Sequence, residues 1–241
     1  WTATARTTTA RRAAKQSVAG AGVRRIPAGG PTGARRGHGR AAPAAATVPR
    51  MDAPRRNIKL VLAYDGSAYH GWQRQAPGID TVEERVEAAA TAVLRHRVVV
   101  HGAGRTDAGV RAAGQVANLH TSNGSVPLSA LRRAMNARLP RDIAVRSTVE
   151  VPDDFHASRS AVGKTYQYRL HVAPVRPVDL ARQVYPYWRP LDVEAMRRAA
   201  RRLVGRHDFA GFAAAADERE HTVRTIWRCA VGTWGPQTRV T

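Results

Sequence analysis

Cysteine is almost absent from this chain of 241 residues: Cys229 stands alone. One thiol excludes a disulfide framework and a cysteine-based zinc site, and fits a reducing compartment. Long apolar runs are missing too, so no segment reads as a membrane span. Acidic residues are scarce, 18 against 39 Lys and Arg, for a formal net charge of +21. Such an imbalance points to a nucleic-acid or anionic-membrane partner. The deficit is most marked in residues 1–50, which hold 10 basic residues and no acid. The remainder keeps 29 basic residues against 18 acidic ones, so the rest of the chain is also basic.

Residues 1–50 also hold almost no large apolar side chains, being rich in Ala, Arg, Thr, Gly and Pro. Such a segment cannot bury enough surface to offset its ordering entropy, and disorder is expected. Its composition suits a transit peptide, a basic RNA-binding arm, or upstream sequence read in frame before Met51. The last reading is preferred, because the sequence opens on Trp1 and Met51 precedes the first patterned segment. The organisation expected is therefore a tail over 1–50, a first half over 51–160 and a second over 161–241.

From Ile58 the pattern becomes regular. Residues 58–64 read as a strand closed by the Asp65-Gly66-Ser67 turn. Thr81-Val82-Glu83-Glu84 is a capping box, and apolar residues recur at helical spacing to Arg95. A strand over Val98–Val100, another over Gln115–His120, and a helical stripe from Leu128 to Leu139 follow. Ile143–Val149 and Lys164–Val172 read as strands, Asp192 caps a third helix, and a final strand is expected from Val223 to Trp234. Strands that follow one another directly among the helices give α+β, a mostly antiparallel sheet with helices on one face.

Gly104-Arg105-Thr106-Asp107-Ala108-Gly109-Val110 carries the chemistry. It places a carboxylate beside an arginine in a glycine-rich turn leaving a strand, where a substrate can approach closely. The arginine favours the ionised carboxylate and can hold a phosphate or base beside it. This suits a carboxylate nucleophile acting on a polyanion. Gly102-Ala103-Gly104 begins like a dinucleotide fingerprint, but Asp107 occupies the third glycine position and would face the pyrophosphate, which rules that out. The plainer reading is an Asx-turn capped by Asp107. His70, His101 and His120 share no metal-ligand spacing. Trp72 is expected to anchor its turn by burial, and Phe209 and Phe212 to pack a helix end against the sheet. Arg197, Arg198, Arg201 and Arg202 make a basic helical face. Tyr166 and Tyr168 leave one face of their strand, which by pattern alone is the core.

The motifs from Ile58 to Thr241 resemble the bacterial tRNA pseudouridine synthase A family. They are Ala63-Tyr64-Asp65-Gly66, Gly71-Trp72-Gln73-Arg74-Gln75, the Asp107 loop, Asn136 with Leu139-Pro140, and Asp142-Ile143-Ala144-Val145. The series continues with Val151 to Ala157, Lys164-Thr165-Tyr166-Gln167-Tyr168, His207-Asp208-Phe209 and Thr222 to Ile226. The resemblance implies an isomerase that turns uridine into pseudouridine at positions thirty-eight to forty of the tRNA anticodon arm. It implies no cofactor or metal, a cytoplasmic homodimer (organellar if residues 1–50 direct import), and two ferredoxin-like halves flanking a basic cleft. Asp107 becomes the nucleophile, Arg105 its neighbour and filler of the flipped base's space, and Tyr166 the residue stacked on the target uracil. Two departures stand out. Arg111 replaces the usual histidine, and the sequence reaches Thr241 before a further segment of the family pattern. The second half is therefore expected to be incomplete, which puts activity in doubt and leaves a non-catalytic tRNA-binding protein as the alternative.

Overall fold

The computed structural model describes residues 3–9, 55–213, 221–235 and 237–241. It is α+β, with most strand pairs antiparallel. Strand β1 is Ala3–Thr9, β2 Arg56–Tyr64, β3 Val100–Gly102, β4 Arg111–Thr121, β5 Ile143–Val151 and β6 Ala161–Val172. Then come β7 (Tyr185–Tyr187), β8 (Gly205–Asp208), β9 (Val223–Ile226), β10 (Val231–Trp234) and β11 (Gln237–Val240). The helices are α1 (Val82–Leu94), α2 (Leu128–Asn136) and α3 (Val193–Leu203). The main sheet runs β10-β11-β6-β1-β4-β2-β5, with β3 added to β4 and β7 to β6, while β8 and β9 pair separately.

Period-two alternation builds the first part. Ile58, Leu60 and Leu62 of β2 are fully buried on one face, together with Val82, Val86 and Ala90 of α1 and Leu131 and Met135 of α2. Each of these Ile, Leu, Val and Met side chains contributes roughly 1.5–3 kcal/mol by leaving water, and Ala90 less. Thr81 caps α1, its hydroxyl accepting from the Glu84 N–H as the capping box predicts. The Asn136 amide closes α2 onto β5, donating to the Val145 carbonyl at 3.0 Å and accepting from the Val145 N–H at 2.7 Å. Asp192 caps α3 by accepting from the Ala195 N–H at 2.8 Å.

Several sequence expectations change. Residues 3–9 are not featureless but form β1, which pairs parallel to β4 and antiparallel to β6. Long-range pairing of this kind leaves no trace in local composition. The remainder of the 1–50 expectation, and Met51, lie outside the described residues. The strand expected at Val98–Val100 begins at Val100 instead, because the ladder with β4 starts there, at Val100 opposite Leu119. The segment expected as one strand from Val223 to Trp234 is two, β9 and β10, in different sheets. Trp72 is buried as expected, at 1 % exposure. Phe212 is exposed, its ring meeting only that of Phe209 at 5.9 Å among the described aromatic contacts, and Tyr166 and Tyr168 are 45 and 42 % exposed rather than core.

Candidate active site

Asp107 lies in the turn between β3 and β4, and the surrounding chain grips that turn. Strand β3 ends against β4 with the Ala103 N–H donating to the Val116 carbonyl at 2.8 Å. The Gln115 side chain donates to the Gly104 carbonyl. From the segment after β2, the Trp72 N–H donates to the Thr106 carbonyl at 2.9 Å, and the Gly109 N–H donates to the Gly66 carbonyl at 3.1 Å. The buried hydroxyls of Tyr64 and Thr106 are 2.8 Å apart and share a hydrogen bond. Thr106 is thus held through both its side chain and its backbone, one residue before the carboxylate.

Two glycines make this approach possible. A Cβ on Gly66 would sit 2.1 Å from the Val110 carbonyl oxygen, and one on Gly71 would sit 2.7 Å from that of Thr106. Gly71 also has φ +95, a region that side chains rarely adopt. Asp107 and Val110 close the turn through the Val110 N–H, at 3.2 Å, with Gly109 at φ +79.

The clamp extends to α1. The buried Glu83 carboxylate accepts from Trp72 Nε1 at 3.1 Å, from the Arg74 N–H at 2.8 Å and from Gln73 Nε2 at 3.2 Å. Glu87, one turn on, accepts from the Val100 N–H at 2.8 Å and pairs with Arg74. One face of α1 therefore ties down both the segment that presses on Thr106 and the strand that launches the Asp107 turn. Burial pushes the Glu83 carboxyl up, against the lowering effect of the Arg74 backbone bond, and the neighbouring Glu87 adds to the rise.

The Asp107 side chain itself is exposed, and among the described residues it accepts no hydrogen bond. The Asx-turn reading fails for that reason. The Asx cap of this region is Asp65, which accepts from the Ser67 N–H at 3.1 Å and the Ser67 hydroxyl at 2.6 Å. Arg105 is exposed on the same turn, but among the described residues no ion pair within 4.0 Å joins it to Asp107. Tyr166 of β6 faces the turn closely enough for Asp107 to affect its ionisation. Burial first, then Tyr168 and the Asp107 carboxylate, push the Tyr166 phenol up, so it keeps its proton at neutral pH. Burial likewise raises Tyr64 to about 12, against the lowering hydrogen bonds from Thr106 and Gln115.

Lys164, not singled out by sequence reasoning, joins the site. Its ammonium would lie 3.1 Å from a Cβ placed on Gly104. Its two-residue spacing from Tyr166 along a strand was the available signal. Arg111 turns out to serve Asp65: its Nε donates to Asp65 Oδ1 at 3.2 Å, with a second contact to Oδ2. The pair lines a cleft of about 440 Å³ with Tyr64, Arg141 and Asp142. Burial opposes ionisation of Asp65, but the Ser67 bonds and Arg111 outweigh it and hold the carboxyl below its usual range. Among the described residues no group of three or more His, Cys, Asp or Glu is placed to hold a metal ion.

A clamped turn presenting an exposed carboxylate near a protonated phenol, on a strongly basic α+β frame, points to a class: an enzyme acting on RNA. Comparison with known proteins gives the particular family. Residues 60–158 match the family described as tRNA pseudouridine synthase. A tRNA pseudouridine synthase A of Geobacter sp. (strain M21) is 45 % identical over 184 residues, covering 75 % of this chain and 72 % of that protein. The enzyme of the same name from Syntrophotalea carbinolica is 45 % identical over 170 residues, 70 % of this chain and 67 % of the relative. That of Citrifermentans bemidjiense is 44 % identical over 172 residues, 71 and 68 % of the two chains. The chain belongs to the tRNA pseudouridine synthase family, isomerases that act on tRNA.

Proposed function

We propose that this protein converts uridine to pseudouridine in the anticodon arm of tRNA, at positions thirty-eight to forty, with Asp107 as the nucleophile. The reaction breaks the bond from the sugar C1′ to uracil N1 and forms one from C1′ to C5. The C5 proton leaves and N1 gains one, so neither electrons nor external groups are exchanged. The observation that carries the reading is the exposed Asp107 carboxylate, free of hydrogen bonds among the described residues, on a turn held from β4, from α1 and from the segment after β2. Preorganisation of this kind removes the cost of orienting a catalytic group.

A nucleophile buried in its own hydrogen bonds would first have to shed them. The free side chain can instead add directly to the sugar carbon or the uracil ring, two covalent routes open to the same group. The target base must first leave its stack. Tyr166, half exposed and protonated, supplies an aromatic face for the flipped uracil and a hydroxyl donor. Arg105 and Lys164 supply positive charge for the flanking phosphates, and Arg105 fills the space the base vacates. A cytoplasmic homodimer is the form in which we expect it to act, on the strength of the resemblance.

The test is pseudouridine mapping of an unmodified tRNA transcript, with Asp107→Ala beside the parent. Modification confined to the anticodon arm and lost in the variant is expected. Modification elsewhere in the tRNA would refute the site assignment, and activity surviving in Asp107→Ala would refute the nucleophile. Tight tRNA binding by the parent with no modification would favour a binding-only protein.

A further inference from the structure

Strands β6 and β11 place Arg169 directly opposite Arg239. Cross-strand partners leave the sheet on one face, and like charges so placed repel. The arrangement is not relieved by acids. Among the described residues no carboxylate lies within 4.0 Å of either guanidinium. Arg169 has only neutral partners, Gln237 Oε1 at 2.8 Å and Gln183 Oε1 at 3.5 Å. Arg169 Nε, Arg239 Nε and His171 Nδ1 are all buried without a hydrogen-bond partner. By alternation and register these three nitrogens share one face. Burial, then Arg239 and Arg111, lower the Arg169 pKa, as expected where positive charges crowd.

Beside them is a cavity of about 420 Å³ whose lining includes Gln167, Arg228, Trp234 and Arg239 and, among the described residues, no acidic side chain. The Arg239 guanidinium lies 5.0 Å over the Trp234 ring, which is itself 73 % exposed. An unpaired buried donor calls for an explanation, and an anion held by crowded positive charges is one that fits this lining. Arginine forks match phosphate oxygens, and an exposed indole offers a stacking face for a base. With tRNA as the substrate, we propose that Arg169 and Arg239 form a phosphate seat for the tRNA backbone. Alternation puts Tyr166 on the opposite face of β6 from this pair, so the seat holds RNA away from the target nucleotide. It contributes to binding and not to the chemical step.

The experiment measures tRNA affinity as a function of salt for the parent and for Arg169→Gln/Arg239→Gln, together with melting temperature, KM and kcat. Each phosphate contact contributes about one to the slope of log affinity against log salt, so the double variant should lose about two. KM should rise roughly tenfold or more, with kcat at saturating tRNA unchanged. Melting should stay level or rise, because a like-charge pair has gone. Arg133→Gln/Arg138→Gln, which removes two exposed charges near the end of α2, is the control. An unchanged slope, an equal loss of slope in the control, or a fall in melting temperature with loss of kcat would each overturn the seat. Absence of any tRNA binding by the parent would overturn the seat and the tRNA reading together, whereas intact binding with an unchanged slope overturns the seat alone.

Discussion

Replacing Gly71 by alanine tests whether the grip on the Asp107 turn serves catalysis or merely folding. The added Cβ would meet the Thr106 carbonyl oxygen at 2.7 Å. Ordinary contact needs about 3.4 Å, so the turn must retreat by about 0.7 Å or the Trp72 segment must move by as much. Gly71 also sits at φ +95, where a side chain adds strain of about 1–3 kcal/mol. Gly78 is a matched control: its φ is +91, yet nothing lies within 4 Å of its added Cβ. Both variants should therefore lose a few degrees of melting temperature, at roughly 2–4 °C per kcal/mol for a chain of this size. Only Gly71→Ala moves the carboxylate. A displacement approaching 1 Å at a catalytic group costs up to about 10²-fold. We expect kcat to fall roughly 10- to 100-fold in Gly71→Ala and to stay within twofold in Gly78→Ala, with tRNA affinity little changed in both. Single-turnover pseudouridine formation at saturating enzyme reads this directly. Equal kcat in the two variants at equal loss of stability would refute the idea that the grip positions Asp107.

Two further outcomes follow from the supporting residues. Glu83→Ala strands the buried Trp72 Nε1–H and the Arg74 N–H, and at about 1–3 kcal/mol per orphaned donor it should cost about 2–6 kcal/mol in denaturant unfolding. Glu83→Gln keeps an acceptor oxygen and should recover most of that; an equal loss in both would mean the hydrogen bonds are not what matters. Asp65 has a lowered pKa in the folded protein, so the stability it adds is present in full at neutral pH and drains away as pH falls below about 4. Arg111→Ala should cost about 0.2–1 kcal/mol at pH 7, and its difference from the parent should shrink toward pH 3; a difference that grows on acidification would contradict the sign.

Local pattern made most of the described chain legible. The alternation in residues 58–64, the capping box at Thr81 and the Asp192 cap each report a preference that neighbouring residues satisfy among themselves. Asp107, Arg105 and Tyr166 were legible as motif residues, and the buried Trp72 as a turn anchor. What local pattern missed depends on partners distant in sequence. Whether Tyr166 is core or exposed is decided by what covers its face of β6, not by its alternation with Gln167. The pairing of Arg111 with Asp65 joins residues 46 positions apart. Glu83 and Glu87 of α1 are both buried, because the donors they satisfy come from the Trp72 segment and from β3. The opposition of Arg169 and Arg239 exists only through strand register.

The sequence by itself determined the α+β class, the basic character and the turn that carries the carboxylate, since these rest on composition and short-range spacing, and its motifs carried the resemblance to the family. Only the tertiary structure decided which groups hold that turn, that the Asp107 carboxylate stands free of hydrogen bonds among the described residues, and that β1 lies between β4 and β6. Those facts are set by burial and by long-range pairing, where the partner of each polar group is chosen by the fold and not by its neighbours in the chain.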